Sequence, residues 1–167
     1  ADPARDSANN HYEGVTKKDV EAYYKAKVDP KNETPISRGL SSKMIKQGDQ
    51  VQEIPYFMGG MYGPAITEIM IWLGKAVQVA ENEQQKQVIM KLIDFYETGQ
   101  LEFFDQYNIE WVKDTDSRVD FVNGFIEVYD DALGYRGSWE SVVSIKDLEA
   151  SKRIKAIADQ AQWFEDN

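Results

Sequence analysis

The sequence predicts an α+β domain, mostly helical, with at least one β-hairpin. Two observations carry this. Residues 64–113 hold three successive apolar stripes at helical spacing, separated by Asn82 and Gly99. Residues 119–145 then switch to β-branched and aromatic residues interrupted by one glycine-containing loop. At 167 residues the chain has the size of one domain, and 42% hydrophobic with 29% charged residues is ordinary for a globular protein.

In chain order, residues 1–15 are polar and read as a loose segment. Thr16-Lys17-Lys18-Asp19 has capping-box spacing, with Val20, Tyr23 and Tyr24 following at helical intervals, so a helix should end before Asp29-Pro30. From there to Gly63 the chain is rich in Pro, Gly, Ser and Lys and reads as irregular, with room for one short hairpin. Gly59-Gly60-Met61-Tyr62-Gly63-Pro64 lacks the spacing of a phosphate-binding loop and reads as a tight turn leading into a helix. Ile66, Ile69, Met70, Leu73, Val77 and Ala80 line one face of that helix. Ile71 and Trp72 lie off the stripe, which predicts burial on more than one side.

Asn82 caps the next helix, with Val88, Ile89, Leu92, Ile93 and Tyr96 as its stripe and Gly99 as its stop. A third helix carries Leu101, Phe104, Asn108 and Trp111. Across residues 118–146 a hairpin is expected, with Phe125, Glu127 and Tyr129 on one face and Ile126 and Val128 on the other. A final helix over 147–167 presents Leu148, Ile154, Ile157, Ala158 and Ala161. These segments make one partial domain, 1–167.

Composition excludes several functions. A net charge of −10 with no Lys/Arg run argues against nucleic-acid binding, which needs a basic patch. The longest apolar stretch, Ile66 to Leu73, is too short to span a bilayer, so no membrane partner is expected. Without cysteine there is no thiolate chemistry, and the compartment stays open between cytoplasm and periplasm of a bacterium. The start at Ala1-Asp2-Pro3 resembles a processed or excised segment. His11 is the sole histidine, so no zinc set and no Ser-His-Asp triad with a nucleophile elbow can be assembled here. It reads as an exposed, solvated side chain. Asn32-Glu33-Thr34 matches a glycosylation sequon, a pattern common by chance.

Glu127, Tyr129 and Glu140 remain. Two carboxylates and a phenol in apolar β-structure are costly unless paired. Depending on strand register they can converge. Carboxylates can hold an ammonium group while a phenol donates to a carbonyl oxygen as charge develops on it. A glycosidase carboxylate pair is a second chemistry, requiring a separation of roughly 5–9.5 Å. A polar solvent face of a hairpin is the third reading.

The stretch Gly124-Phe125-Ile126-Glu127-Val128-Tyr129-Asp130-Asp131-Ala132-Leu133-Gly134, with Glu140 following, resembles the Gly-Phe-Ile-Glu-x-Tyr-x-Asp-Pro-x-Gly signature of the dipeptidyl peptidase III family of zinc metallopeptidases. The likeness is strongest to its Bacteroides-type members. Gly59–Gly63, Lys91–Gly99, Trp111–Asp114, Lys146–Ala150 and Ala161–Asp166 resemble the same proteins in the same order. The resemblance implies a two-lobed exopeptidase that removes dipeptides from the N-termini of short peptides. Its zinc is held by a His-Glu-x-x-Gly-His helix and a later Glu, outside this chain. The chain then corresponds to part of the non-zinc lobe, partnered by the remainder of the polypeptide and inactive alone. Glu127 and Glu140 look like the residues that engage the substrate amine. Tyr129 looks like the catalytic phenol that polarises the scissile carbonyl, and Val128 lines the cleft through its backbone. Ala132 stands where many relatives have proline, which implies a less constrained loop. A non-catalytic peptide-binding or assembly module is the alternative, with a carboxylate-pair glycosidase behind it.

Overall fold

The computed structural model describes residues 1–167 and is α+β. A three-stranded sheet comes first. Strand β1 (Tyr12–Glu13) pairs parallel with β2 (Ser42–Gln47), and β2 pairs antiparallel with β3 (Gln50–Pro55) across the two-residue Gly48-Asp49 turn. Helix α1 (Lys17–Lys25) lies between β1 and β2 in the chain. Its Thr16 hydroxyl accepts from the Asp19 amide while the Asp19 carboxylate accepts from the Thr16 amide, as the spacing predicted. The Asp19 carboxylate also meets the Lys46 ammonium at 2.9 Å, and these hydrogen bonds hold its pKa down to about 2.

The N-terminal segment is not loose. Ala4 and Val15 are buried with Val20, Tyr24 and Met44 in a small core beneath this sheet. The Asp2 carboxylate accepts from the amides of Ala4, Arg5 and Lys17 and so closes the segment on itself. His11 is 6% exposed, because its carbonyl accepts from Met44 N at 2.9 Å and draws the residue against the sheet. A polar composition concealed an edge strand.

The main core is helical. Helices α2 (Gly63–Val77), α3 (Glu83–Thr98) and α4 (Leu101–Lys113) pack as successive neighbours. Ile66, Val88, Leu92, Phe95, Tyr96, Phe104 and Tyr107 are buried together with Tyr56 and Phe125. Asn82 caps α3 by accepting from Gln85 N at 2.8 Å, and Gly99 ends it. Helix α2 departs from expectation: it buries one side only, and Trp72 is 65% exposed, its ring covered by the Lys75 ammonium at 3.8 Å.

Strands β4 (Val119–Glu127) and β5 (Ser138–Ile145) form a two-stranded antiparallel ribbon. The C-terminal region is two helices, α5 (Leu148–Ala158) and α6 (Ala161–Asp166), with no buried residue in either. The expected stripe of Leu148, Ile154 and Ile157 is therefore present but uncovered. No helix is long and apolar enough to cross a membrane.

Candidate functional site

The β4–β5 ribbon carries Glu127 and Glu140, with Tyr129 just beyond the end of β4, and its register decides how the two carboxylates relate. Regular pairing runs from Val119↔Ile145 to Phe125↔Trp139, then slips: Glu127, not Ile126, lies opposite Ser138. This is a bulge, with one extra residue on β4. Phe125 faces the same side as Trp139, whereas Glu127 shares the side of Ser138 and therefore of Glu140, two residues further along. The expectation that Phe125 and Glu127 share a face is corrected by that one inserted residue. Cross-strand diagonal neighbours of this kind lie about 7–8 Å apart.

Exposure also departs from expectation. Glu127 and Glu140 are half-buried, so neither charge is sunk in apolar structure. Tyr129 stands past the end of β4, in a turn, and is 88% exposed. The side-chain hydrogen bonds of this region run through Asn123, Asp130, Asp131, Arg136 and Ser138, and none goes to Glu127, Tyr129 or Glu140. Val128 packs its side chain against the main core, and its carbonyl accepts from Asp131 N at 3.1 Å.

What fixes the loop 128–137 was not foreseen. The Asp131 carboxylate accepts from the amides of Leu133, Tyr135 and Arg136 at 2.8–2.9 Å and from the Tyr12 hydroxyl at 2.7 Å. Burial pushes this carboxyl up, and the converging donors overcome it, so its pKa lies below the ordinary value. With Ala132 in place of proline, the loop is constrained by hydrogen bonds rather than by a ring.

Arg136 is 0% exposed. Its Nη1 donates to the Gly39 carbonyl at 2.7 Å, the Ser42 hydroxyl at 2.7 Å and Glu53 Oε1 at 3.1 Å. Its guanidinium carbon lies 5.4 Å from the ring centroids of both Tyr12 and Tyr24. Gly39 has φ +87°, and a Cβ there would collide with the Tyr24 hydroxyl and the guanidinium. Glu53 completes the group by accepting from the Tyr24 hydroxyl at 2.5 Å. Burial raises the Glu53 carboxyl, but Tyr24 and Arg136 outweigh it and its pKa is lowered. Tyr135 stacks on Tyr24 at 4.5 Å, and Gly137 N donates to the Leu40 carbonyl at 2.8 Å. The loop that presents Tyr129 is thereby tied to all three strands of the first sheet. Nothing in the sequence near Arg136 marks it as buried, because its partners lie more than eighty residues upstream.

No group of three or more His, Cys, Asp or Glu could hold a metal ion. His11 is the one histidine and belongs to no such group, so the residues of this chain do not fit a zinc site.

A helical core thus carries a β-ribbon on which Glu127 and Glu140 have no hydrogen-bonding partner in the chain, followed by the exposed Tyr129. Residues 12–165 match the model of peptidase family M49, and the chain belongs to that family. M49 is a family of zinc metallopeptidases. Dipeptidyl peptidase 3 of Dictyostelium discoideum is 32% identical over 105 residues, covering 63% of this chain and 15% of that protein. The human dipeptidyl peptidase 3 is 28% identical over 103 residues, covering 62% and 14%. Nudix hydrolase 3 of Arabidopsis thaliana is 25% identical over 128 residues, covering 76% and 16%. In fold, the chain matches dipeptidyl peptidase III of Caldithrix abyssi with a TM-score of 0.70 at 22% identity, covering 95% of this chain and 29% of that one. The Corallococcus enzyme gives 0.65 at 20% identity, covering 95% and 28%. The chain thus spans about a seventh of the relatives it matches in sequence.

Proposed function

We propose that this chain is the substrate-binding segment of a zinc-dependent, dipeptidyl peptidase III-like exopeptidase that removes dipeptides from peptide N-termini. One observation supports the reading above the others: Glu127 and Glu140 share a face of the ribbon without any partner in the chain, beside the exposed Tyr129. Two carboxylates at that spacing suit the ammonium group of a free peptide N-terminus, whose charge-assisted hydrogen bonds fix where the chain of the substrate begins. A fixed N-terminus sets which peptide bond reaches the reacting position, and so explains removal of two residues at a time. The Tyr129 phenol donates to the scissile carbonyl oxygen and stabilises negative charge developing there. The buried Asp131 and Arg136 hold the turn that carries it.

Zinc, which would be held outside these residues, would supply activation of the attacking water. This segment contributes binding and orientation, and alone it is catalytically silent. The test is hydrolysis of a dipeptidyl-arylamide. The isolated chain should release no dipeptide with added zinc, whereas a polypeptide that joins it to the zinc lobe should. Zinc-dependent release by the 167 residues alone would overturn the reading.

A further inference from the structure

The Tyr129 side chain is 88% exposed and makes no hydrogen bond within the chain, so the backbone on either side of it sets where the phenol lies. Both ends of its turn are fixed. Val128 packs against the main core, and its carbonyl accepts from Asp131 N at 3.1 Å. Asp131 is buried, with its carboxylate engaged by three amides and the Tyr12 hydroxyl. Turns that share their end positions still differ in the φ and ψ of the two central residues, here Tyr129 and Asp130. Those two residues hold the freedom that remains.

Asp130 is where that freedom is taken up. Its carbonyl accepts from the Asn9 side-chain amide at 2.5 Å, and its carboxylate accepts from the Ser138 hydroxyl at 3.1 Å. Ser138 pairs with Glu127 across the ribbon, so the second contact ties the turn to the strand position facing a site carboxylate. The first reaches 121 residues back along the chain. Asn9 is itself anchored: its side-chain oxygen accepts from His11 N at 3.2 Å, and the His11 carbonyl accepts from Met44 N on β2. Tyr12, in β1, donates to Asp131 at 2.7 Å. The segment from Asn9 to Tyr12 therefore grips both residues that follow the phenol.

We propose that Asn9 is a positioning residue for Tyr129: by donating to the Asp130 carbonyl it selects the turn conformation in which the phenol serves as a donor to the scissile carbonyl oxygen. Asn9 touches no substrate and acts through Asp130. This role rests on the function proposed above, in which Tyr129 is that donor. A donor stabilises developing charge only from the correct place, so a turn that samples other conformations lowers the rate without weakening substrate binding. Asp130 is exposed and Asn9 half-buried, so the contact competes with water and has the modest net worth of an ordinary hydrogen bond.

Asn9→Asp tests the donor alone, because it is nearly isosteric and keeps the oxygen that accepts from His11 N. In the 167-residue chain, the ¹⁵N heteronuclear NOE of the Tyr129 and Asp130 amides should fall in this variant while that of Glu127 stays. Asn10→Ala, whose amide goes to the Tyr62 hydroxyl instead, should leave all three unchanged. In a polypeptide that also carries the zinc lobe, Asn9→Asp should lower kcat for a dipeptidyl-arylamide about 2- to 12-fold, the span of one net hydrogen bond, with KM unchanged. It should have no further effect beside Tyr129→Phe. Unaltered NOEs, an equal effect of Asn10→Ala, or a kcat loss that persists in full beside Tyr129→Phe overturns the positioning role. Full activity of Tyr129→Phe alone refutes the catalytic reading of the phenol, and the NOE measurement then judges the hold of Asn9 on the turn by itself.

Discussion

Arg136 Nη1 and Glu53 Oε1 meet at 3.1 Å, joining the loop that presents Tyr129 to the third strand of the first sheet. The guanidinium is wholly buried and the carboxylate side chain 21% exposed, so solvent screens the pair little. Arg136→Met should destabilise the chain by about 3–5 kcal/mol, the cost of stranding a buried partner. Adding Glu53→Gln should recover part of that loss. Urea unfolding of the two variants checks both statements, and equal stability of the single variant and the parent would contradict the first.

Acid should unfold the protein through the same loop. Asp131 is buried and Glu53 half-buried, and loss of water alone would raise their pKa values, yet their hydrogen-bond donors hold both below the ordinary range. A carboxyl depressed in the folded state contributes stability that is complete above its unfolded pKa, about 4. That contribution disappears as pH falls through the folded value. Unfolding free energy should therefore drop steadily below about pH 5, and Asp131→Asn should flatten the slope.

His11 adds a separate dependence. Its lowered folded pKa means that the unfolded chain takes up the proton first as pH falls below the ordinary value of 6.5. Stability should decline from neutral pH toward about pH 5, the contribution being full above 6.5 and lost as pH falls through the folded value. In His11→Phe this decline should vanish while stability at pH 7 is unchanged or higher, because two unpaired polar atoms are removed. A scan of melting temperature against pH distinguishes the two proteins.

Tyr129→Phe separates catalysis from folding. The side chain is 88% exposed, so unfolding free energy should change by less than about 0.5 kcal/mol. In a polypeptide that also carries the zinc lobe, kcat should fall about 10- to 1000-fold, the scale of one lost oxyanion donor. An unchanged rate would refute the role given to the phenol.

Local signals were legible and distant ones were not. The capping box at Thr16 and Asp19, the stop at Gly99 and the strand period after Val119 each act within a few residues, and all appear in the structure. The α+β class and the family follow from such signals and from the signature around Glu127. Bulge position is decided by backbone pairing, so alternation alone put Glu127 on the wrong side of Phe125. His11 read as solvated because its neighbours are polar, although a parallel pairing with β2 buries it. The Arg136 network joins residues from α1, β2 and β3, which no window of sequence brings together. On α2, Ile71 and Trp72 were apolar enough to suggest burial, but only one side of that helix meets the core.

The central claim is that Glu127 and Glu140 hold the amine of a peptide. Calorimetric titration of the chain with a tetrapeptide, free and N-acetylated, tests it most directly. The free peptide should bind at least tenfold more tightly, on the scale of one charge-assisted hydrogen bond of about 1.5–3 kcal/mol. Glu127→Gln and Glu140→Gln should each reduce that preference. Equal binding of the two peptides, or a preference that survives both substitutions, would contradict the account.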